Sequence, residues 1–409
     1  MAAAVLRNLR SGLRKLPLGW PLVMFATSGL AFAAANIIWA RTLPVDAYAI
    51  VALSIAILNL ALRLAPFGAD LEINRGGGAL SSASISRVAA TSVLTAGAAG
   101  AVASIGYSLS FAVSASIAIA VACGGITVYS AATLQARRRY LPSLGLLHAL
   151  NYLLLGLSVA TAATGAASAS VIVGTVALAS VALLIVATSI LRAMLRGSSG
   201  QGTGHSTRNL LALFAITGSA EVMTQLDRLV TPAVLSLADL AQLSVLLALV
   251  GPPFRLLEMA VAYSILPELR AATTATARRR ALRGSLSIAV GVSALAALLL
   301  LIFLKPVSHW LLGTKFTLPL GLIAVALLAG LVRVAHGFAG AAATALVPNE
   351  RLTQLSTLGI VSAGIGIAGA IFGSRWGLQG VLWGSMIGWL VRTLASAGLV
   401  RCALRSTSE

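Results

Sequence analysis

The chain has 409 residues, of which 58% are hydrophobic and only 10% charged, and its mean hydropathy is +0.97. A soluble domain carries about a quarter charged residues, so this chain has too little charge to coat a water-facing surface. The net charge of +19 comes from 29 Lys and Arg against 10 Asp and Glu. It does not point to nucleic acid, because the long apolar runs leave no room for a soluble basic face. A soluble enzyme, a DNA binder and a disordered tail are excluded. A polytopic, all-α integral membrane protein remains.

In chain order, the basic residues Arg7, Arg10, Arg14 and Lys15 precede an apolar run that starts at Trp20. That run, near 20–40, is too long for the core of a cleaved signal and right for a span. Spans follow near 47–66, 88–107, 111–133, 143–162 and 169–191. Residues 192–209 then form a polar stretch containing GSSGQGTGHST, which reads as a flexible linker. Six more spans are predicted near 210–234, 240–266, 284–304, 319–345, 353–372 and 378–401. About twelve helices result, as a bundle over 1–195, a linker over 196–209 and a bundle over 210–409. Cys123 and Cys402 lie in or beside apolar runs and read as small buried hydrophobes, not as a disulfide.

Orientation follows from the basic residues. With the N-terminus inside, the cytoplasmic segments collect twenty Lys and Arg, including Arg75, Arg87, Arg137 to Arg139, Arg278 to Arg280 and Arg351. The external ones hold four, Arg41, Lys305, Lys315 and Arg375. Both termini are predicted to be cytoplasmic, in the plasma (inner) membrane. The longest external segment runs only from about Lys305 to Leu318, too short to fold over a substrate as a membrane polymerase or ligase requires.

Six is an even number, so the two halves run in the same direction, as parallel repeats about an axis along the membrane normal. An echo supports this. Asp46 opens the second span with Arg63 seventeen residues later, and Asp239 opens the eighth with Arg255 sixteen residues later.

The motifs WARTLPVDAYAIVAL and APFGADLEINRG resemble a first helix ending in a short turn, followed by a Gly–acidic–Arg cytoplasmic loop. QLDRLVTPAVLSLADLAQLSVLLAL, SILPELR and SRWGLQGVLWGSMIG extend the likeness into the second half. Together they resemble the polysaccharide flippases of the multidrug/oligosaccharidyl-lipid/polysaccharide exporter superfamily. That resemblance implies two six-helix bundles around a central cationic cavity. It also implies a polyprenyl-diphosphate-linked oligosaccharide as cargo, moved from the cytoplasmic to the external leaflet. Polysaccharide polymerases or glycosyltransferases are the partners expected with it, and nucleic acid is not.

Five arginines fall within or close to spans: Arg63, Arg228, Arg255, Arg333 and Arg392. A central intramembrane Arg costs about 2.5–3.5 kcal/mol on insertion scales, so each needs a partner, water or a route to the interface. Arg63 and Arg392 lie near the cytoplasmic ends, where snorkelling competes with a cavity role. Arg333 lies mid-span with His336 three residues on, which favours the cavity. The seventh span is the most polar. Glu221, Gln225 and Arg228 fall at i, i+4 and i+7 on one face, with Asp227 pointing elsewhere. This face either lines a water-filled route or glues helices through internal pairs. Guanidinium suits a diphosphate because it donates two parallel hydrogen bonds and stays charged.

In the eighth span, GPPF is expected to break the helix before Arg255 and Glu258 as a kink or gating bend. Glu221, Asp227 and Glu258 are candidates for proton or sodium coupling, and no other cofactor is expected. His148, near Asn151 and Tyr152, reads as a hydrogen-bonded packing group and not a relay. No nucleotide-binding glycine loop, zinc motif or nucleophile elbow occurs, so the chain is expected to be no enzyme. The alternatives are a multidrug-type exporter of the same superfamily, which the arginines disfavour for cationic drugs, and a membrane polymerase or ligase. Under the flippase reading, Arg228→Ala and Arg333→Ala are expected to abolish export at unchanged membrane levels.

Overall fold

The structure is a computed structural model that describes residues 19–75, 80–165, 168–196, 207–271, 274–346 and 352–406. Residues 7–15 of the basic N-terminus, the glycines at 76–78, Arg351 and most of the linker lie outside the described residues. Among the described residues there is no strand. The first half comprises α1 (Gly19–Thr42), α2 (Val45–Leu64), α3 (Ala69–Arg75), α4 (Ser82–Ala101), α5 (Phe111–Ala136), α6 (Tyr140–Thr164) and α7 (Ala169–Arg196). The second comprises α8 (Thr207–Val234), α9 (Leu237–Ala271), α10 (Ala275–Leu312), α11 (Leu320–Leu346), α12 (Leu352–Gly373) and α13 (Gly377–Ser406). Apart from the short α3, each half therefore carries six long helices, at the positions the apolar runs predict.

Among the described residues, ten segments are long and apolar enough to cross a membrane, and the last, Thr353–Leu404, takes in both α12 and α13. α8 falls outside these ten because Glu221, Gln225, Asp227 and Arg228 lower its hydropathy. It is nevertheless an inner helix, with Met223, Gln225, Leu226 and Asp227 all buried. The lipid-facing extreme is α10, whose Ile288, Val290, Leu295, Ile302 and Phe303 are exposed. The protein is a multi-span integral membrane protein.

Several helices run past their apolar cores. α4 and α10 start where side chains of Ser81 and Thr274 accept from the amides of Ser84 and Ala277, so both helices begin several residues before their apolar runs. At 38 residues, α10 is about 57 Å long at 1.5 Å per residue, longer than the hydrocarbon core, so its Arg-rich start projects beyond it. The expectation that GPPF breaks the eighth span is not met: α9 continues as one helix through Gly251, Pro252 and Pro253 to Ala271. The two prolines remove only their own amide bonds, and the packed surroundings hold the remaining ladder. Cys123 is buried as expected, but Cys402, in the last turns of α13, is exposed.

In the first half α1 packs on α6, and α5 packs on α4 and α7; in the second, α13 packs on α11 and α12, α9 on α11, and α8 on α12. The α12–α13 hairpin is closed by glycine against glycine. A Cβ at Gly384 would lie 2.0 Å from Gly369 O, and one at Gly373 would lie 2.0 Å from Gly380 O. Both obstacles are backbone, which cannot move aside, so the helices approach only because no side chain intervenes. Gly384→Val is expected to cost about 1–3 kcal/mol or more and to lower the melting temperature. Gly398→Ala, with nothing within 4 Å, is the neutral control on the same helix.

The halves meet through α1 and α2 of the first and α8 and α9 of the second. At the end that the charge bias assigns to the outside, Lys315 of the α10–α11 loop reaches across to the end of α1. Its Nζ donates to Ala40 O at 2.7 Å and also to Leu43 O. Beside it, Phe316 packs edge-on to Tyr48 at 6.2 Å, and Tyr107 donates to Leu229 O at 2.8 Å. At the opposite end, Phe67 stacks on Phe214 at 4.3 Å. Next to it, Gly68 (φ +79°) lets the α2–α3 turn press against α8, where a Cβ would meet Leu210 O at 2.8 Å.

Candidate functional site

α8 lies between the halves, and its polar face carries the centre of the site. Gln225 Nε2 donates to Glu221 Oε1 at 3.0 Å, and Arg228 Nη1 reaches Gln225 Oε1 at 3.5 Å. The i, i+4, i+7 spacing thus becomes a chain of contacts along one face. Asp227 turns away from that face towards α11, where Arg333 Nη2 donates to its Oδ2 at 2.8 Å. Asp227 is 1% exposed in this ion pair and the Arg333 side chain 22%. The Arg333 guanidinium also lies 5.6 Å from the ring centre of Trp389 on α13, and His336 packs on the same indole at 4.9 Å. Asp227 Oδ1, Arg333 Nε, His336 Nδ1 and Trp389 Nε1 are buried without a hydrogen-bond partner among the described residues.

α9 adds Arg255, which is exposed, and Glu258, which is half-buried. Glu258 lies against Gly337 of α11, where a Cβ would sit 2.5 Å from its Cγ. The charges of Arg255, Arg333 and Glu221 all act on Glu258, and those of Arg255, Arg333 and Asp227 act on Arg228. From the first half, α2 contributes Arg63, exposed, and Tyr48, fully buried with its hydroxyl unpartnered among the described residues. Arg63 acts on Asp70, in the short α3 outside the spans, where burial pushes the carboxyl up and Arg63 pulls against it.

Arg392 has a different place. It is buried, with Nη1 donating to Ser219 Oγ and Nη2 to Ile216 O, each at 3.1 Å, which ties α13 to α8. Both bonds are to another helix, and at 7% exposed the side chain does not snorkel to an interface. The structure therefore gathers Arg228, Arg255, Arg333, Glu221, Gln225, Asp227, Glu258 and His336 on α8, α9 and α11, puts Arg63 on α2, and holds Arg392 between α13 and α8. The charges are divided by exposure. Arg63 and Arg255 are exposed with no hydrogen-bond partner among the described residues, whereas Asp227 and Asp70 are 1% and 7% exposed.

Trp389 and Tyr48 belong to this site but carry no sequence signal, since an aromatic residue in an apolar helix reads as core. Among the described residues, no group of three or more His, Cys, Asp or Glu is arranged to hold a metal ion.

No protein-family model and no curated protein matches the chain. Solved structures do. A transporter described as MATE in the straight conformation matches with a TM-score of 0.63 and 15% identity, covering 98% of this chain and 97% of that one. An inward-facing multidrug resistance MATE family transporter of the MOP superfamily matches at 0.59 and 13% identity, covering 93% and 95%. The lipid II flippase MurJ in an inward closed conformation matches at 0.57 and 14% identity, covering 95% and 88%. At such identities the likeness is one of fold. The chain has the two-bundle, all-helical membrane fold shared by these transporters.

Proposed function

We propose that the protein is a transporter that flips a polyprenyl-diphosphate-linked oligosaccharide from the cytoplasmic to the external leaflet of the plasma (inner) membrane, for surface polysaccharide synthesis. The observation that carries this reading is the exposure of Arg63 and Arg255, while Asp227 is paired with Arg333, Glu221 accepts from Gln225 and Glu258 is half-buried. A water-filled route lined this way presents positive charge to its contents. Two guanidinium groups, one from each half, match a diphosphate, which offers each a bidentate face. Cargo held between the halves favours their closing on it, and release needs them to part at the other end.

Lys315 stands at that other end. In this reading its bonds to α1 break whenever the external side opens. Lys315→Met is therefore expected to raise the labelling of a Tyr48→Cys reporter by a membrane-impermeant thiol reagent several-fold. Equal labelling with and without Lys315 contradicts a gate at this contact.

The carboxylates left for coupling to protons or sodium are Glu221 and Glu258, because Asp227 is already neutralised by Arg333. The same two half-buried groups favour the second reading, export of small organic cations. Glycosyltransferases and a polymerase are the partners of the first reading, and the chain itself carries out no reaction in either. A deletion strain separates them. Lipid-linked repeat units that accumulate on the cytoplasmic leaflet support flipping. Their accumulation outside, or unaltered polysaccharide with increased drug sensitivity, removes it.

A further inference from the structure

Outside the arginine cluster, the first half holds a second polar group between α1 and α6. Asn151 Nδ2 donates to Ser28 Oγ at 2.8 Å, and Ser28 Oγ lies 2.8 Å from His148 Nδ1. Phe25 packs edge-on to the imidazole at 4.7 Å. These bonds accommodate one tautomer of the ring without strain. Asn151 gives its N–H to the serine oxygen, and the serine hydroxyl then has its own proton to give. With that proton given to His148 Nδ1, the neutral ring carries its own on Nε2, and this tautomer is the one that can donate from there. That Nε2 is buried and has no hydrogen-bond partner among the described residues.

A buried donor without an acceptor is uncommon in a finished fold, and here it has particular surroundings. The charges of Arg255 and Arg63 both act on the ring, one from each half of the molecule. Both guanidinium groups are exposed and unpartnered among the described residues. An oxyanion arriving near these two cations is the acceptor that this histidine lacks.

We propose that His148, oriented by Ser28 and Asn151, is a neutral Nε2–H donor to an anionic oxygen of the cargo and completes an oxyanion subsite with Arg63 and Arg255. This rests on the reading of the cargo as a lipid diphosphate and deepens it. The two arginines supply charge without regard to shape, whereas a fixed imidazole N–H selects where one oxygen sits. His148 is then a specificity-determining residue, which a packing role alone does not predict.

The test is direct binding of farnesyl diphosphate, inorganic diphosphate and farnesol to the purified full chain by calorimetry. His148→Phe is expected to weaken both diphosphates about tenfold and leave farnesol unchanged. His148→Gln, whose amide can donate from nearly the place of Nε2, is expected to stay within about threefold of the unaltered protein. Nitrogen-15 spectra of labelled histidine add a readout independent of any substitution. They are expected to show one neutral tautomer with Nε2 protonated and an Nε2 shift on adding farnesyl diphosphate. If the unaltered protein binds neither diphosphate, the cargo reading fails and takes this subsite with it. If it binds them through Arg63 and Arg255 while His148→Phe binds equally well, or loses farnesol in parallel, the cargo reading stands and the histidine subsite is overturned.

Discussion

Arg333→Met is expected to lower stability by about 3–5 kcal/mol and to deplete the protein from the membrane, because it strands the buried Asp227 carboxylate without the counter-ion that is hydrogen-bonded to it. Asp227→Asn in the same chain is expected to restore most of the loss, since a buried ion pair replaced on both sides is often tolerated. This alters the expectation drawn from sequence, in which Arg333→Ala removes export and leaves membrane levels unchanged. A single substitution at Arg333 removes half of a pair that holds α8 to α11. Melting temperatures of the two single variants and the double variant in detergent give the coupling. An Arg333→Met protein as stable as the unaltered chain contradicts the pairing.

The second large effect is expected at Arg63 and Arg255. Neither holds a hydrogen bond within the described residues, so replacing either by Gln breaks none, and the one buried group that loses a nearby positive charge is Asp70, on which Arg63 acts. Stability is expected to change by about 0.5 kcal/mol for Arg255→Gln, the usual range for exposed positions, and by up to about 1 kcal/mol for Arg63→Gln. Cargo binding is expected to fall by about 1.5–3 kcal/mol for each lost charged hydrogen bond, roughly ten- to a hundredfold. The contrast with Arg333 separates a binding arginine from a structural one: the first loses affinity at full stability, the second loses stability first. Binding of farnesyl diphosphate measured beside thermal melts decides it for each residue.

Much of the fold was open to reading because the membrane leaves few choices. An apolar run of about 20 residues has to be a helix, and the count of twelve follows from counting runs. The polar face of α8 was legible for a related reason, since Glu221, Gln225 and Arg228 are close enough in sequence for helical geometry alone to bring them together. The partner of Asp227 was not legible. Arg333 is 106 residues away, and only the packing of α8 against α11 joins them. Arg392 shows the same limit. Its position near a helix end suits snorkelling, and its actual use depends on a serine and a carbonyl of another helix. The paired prolines of α9 misled in the other direction, because local propensity is weighed there without the neighbours that hold the helix. His148 was legible as hydrogen-bonded, but the nitrogen left over is visible only once Ser28 and Asn151 are placed around it.

In the proposed function the space between the halves receives an anionic lipid, with Arg63 and Arg255 as its free charges. Transbilayer movement in proteoliposomes tests it most directly, using a fluorescent short-chain polyprenyl diphosphate saccharide whose external copies are quenched by dithionite. The unaltered protein is predicted to speed the exchange well above that of empty liposomes, and the Arg63→Gln, Arg255→Gln protein to fall back to it at equal stability. Movement of ethidium without movement of the glycolipid, or full activity of the double variant, contradicts the account.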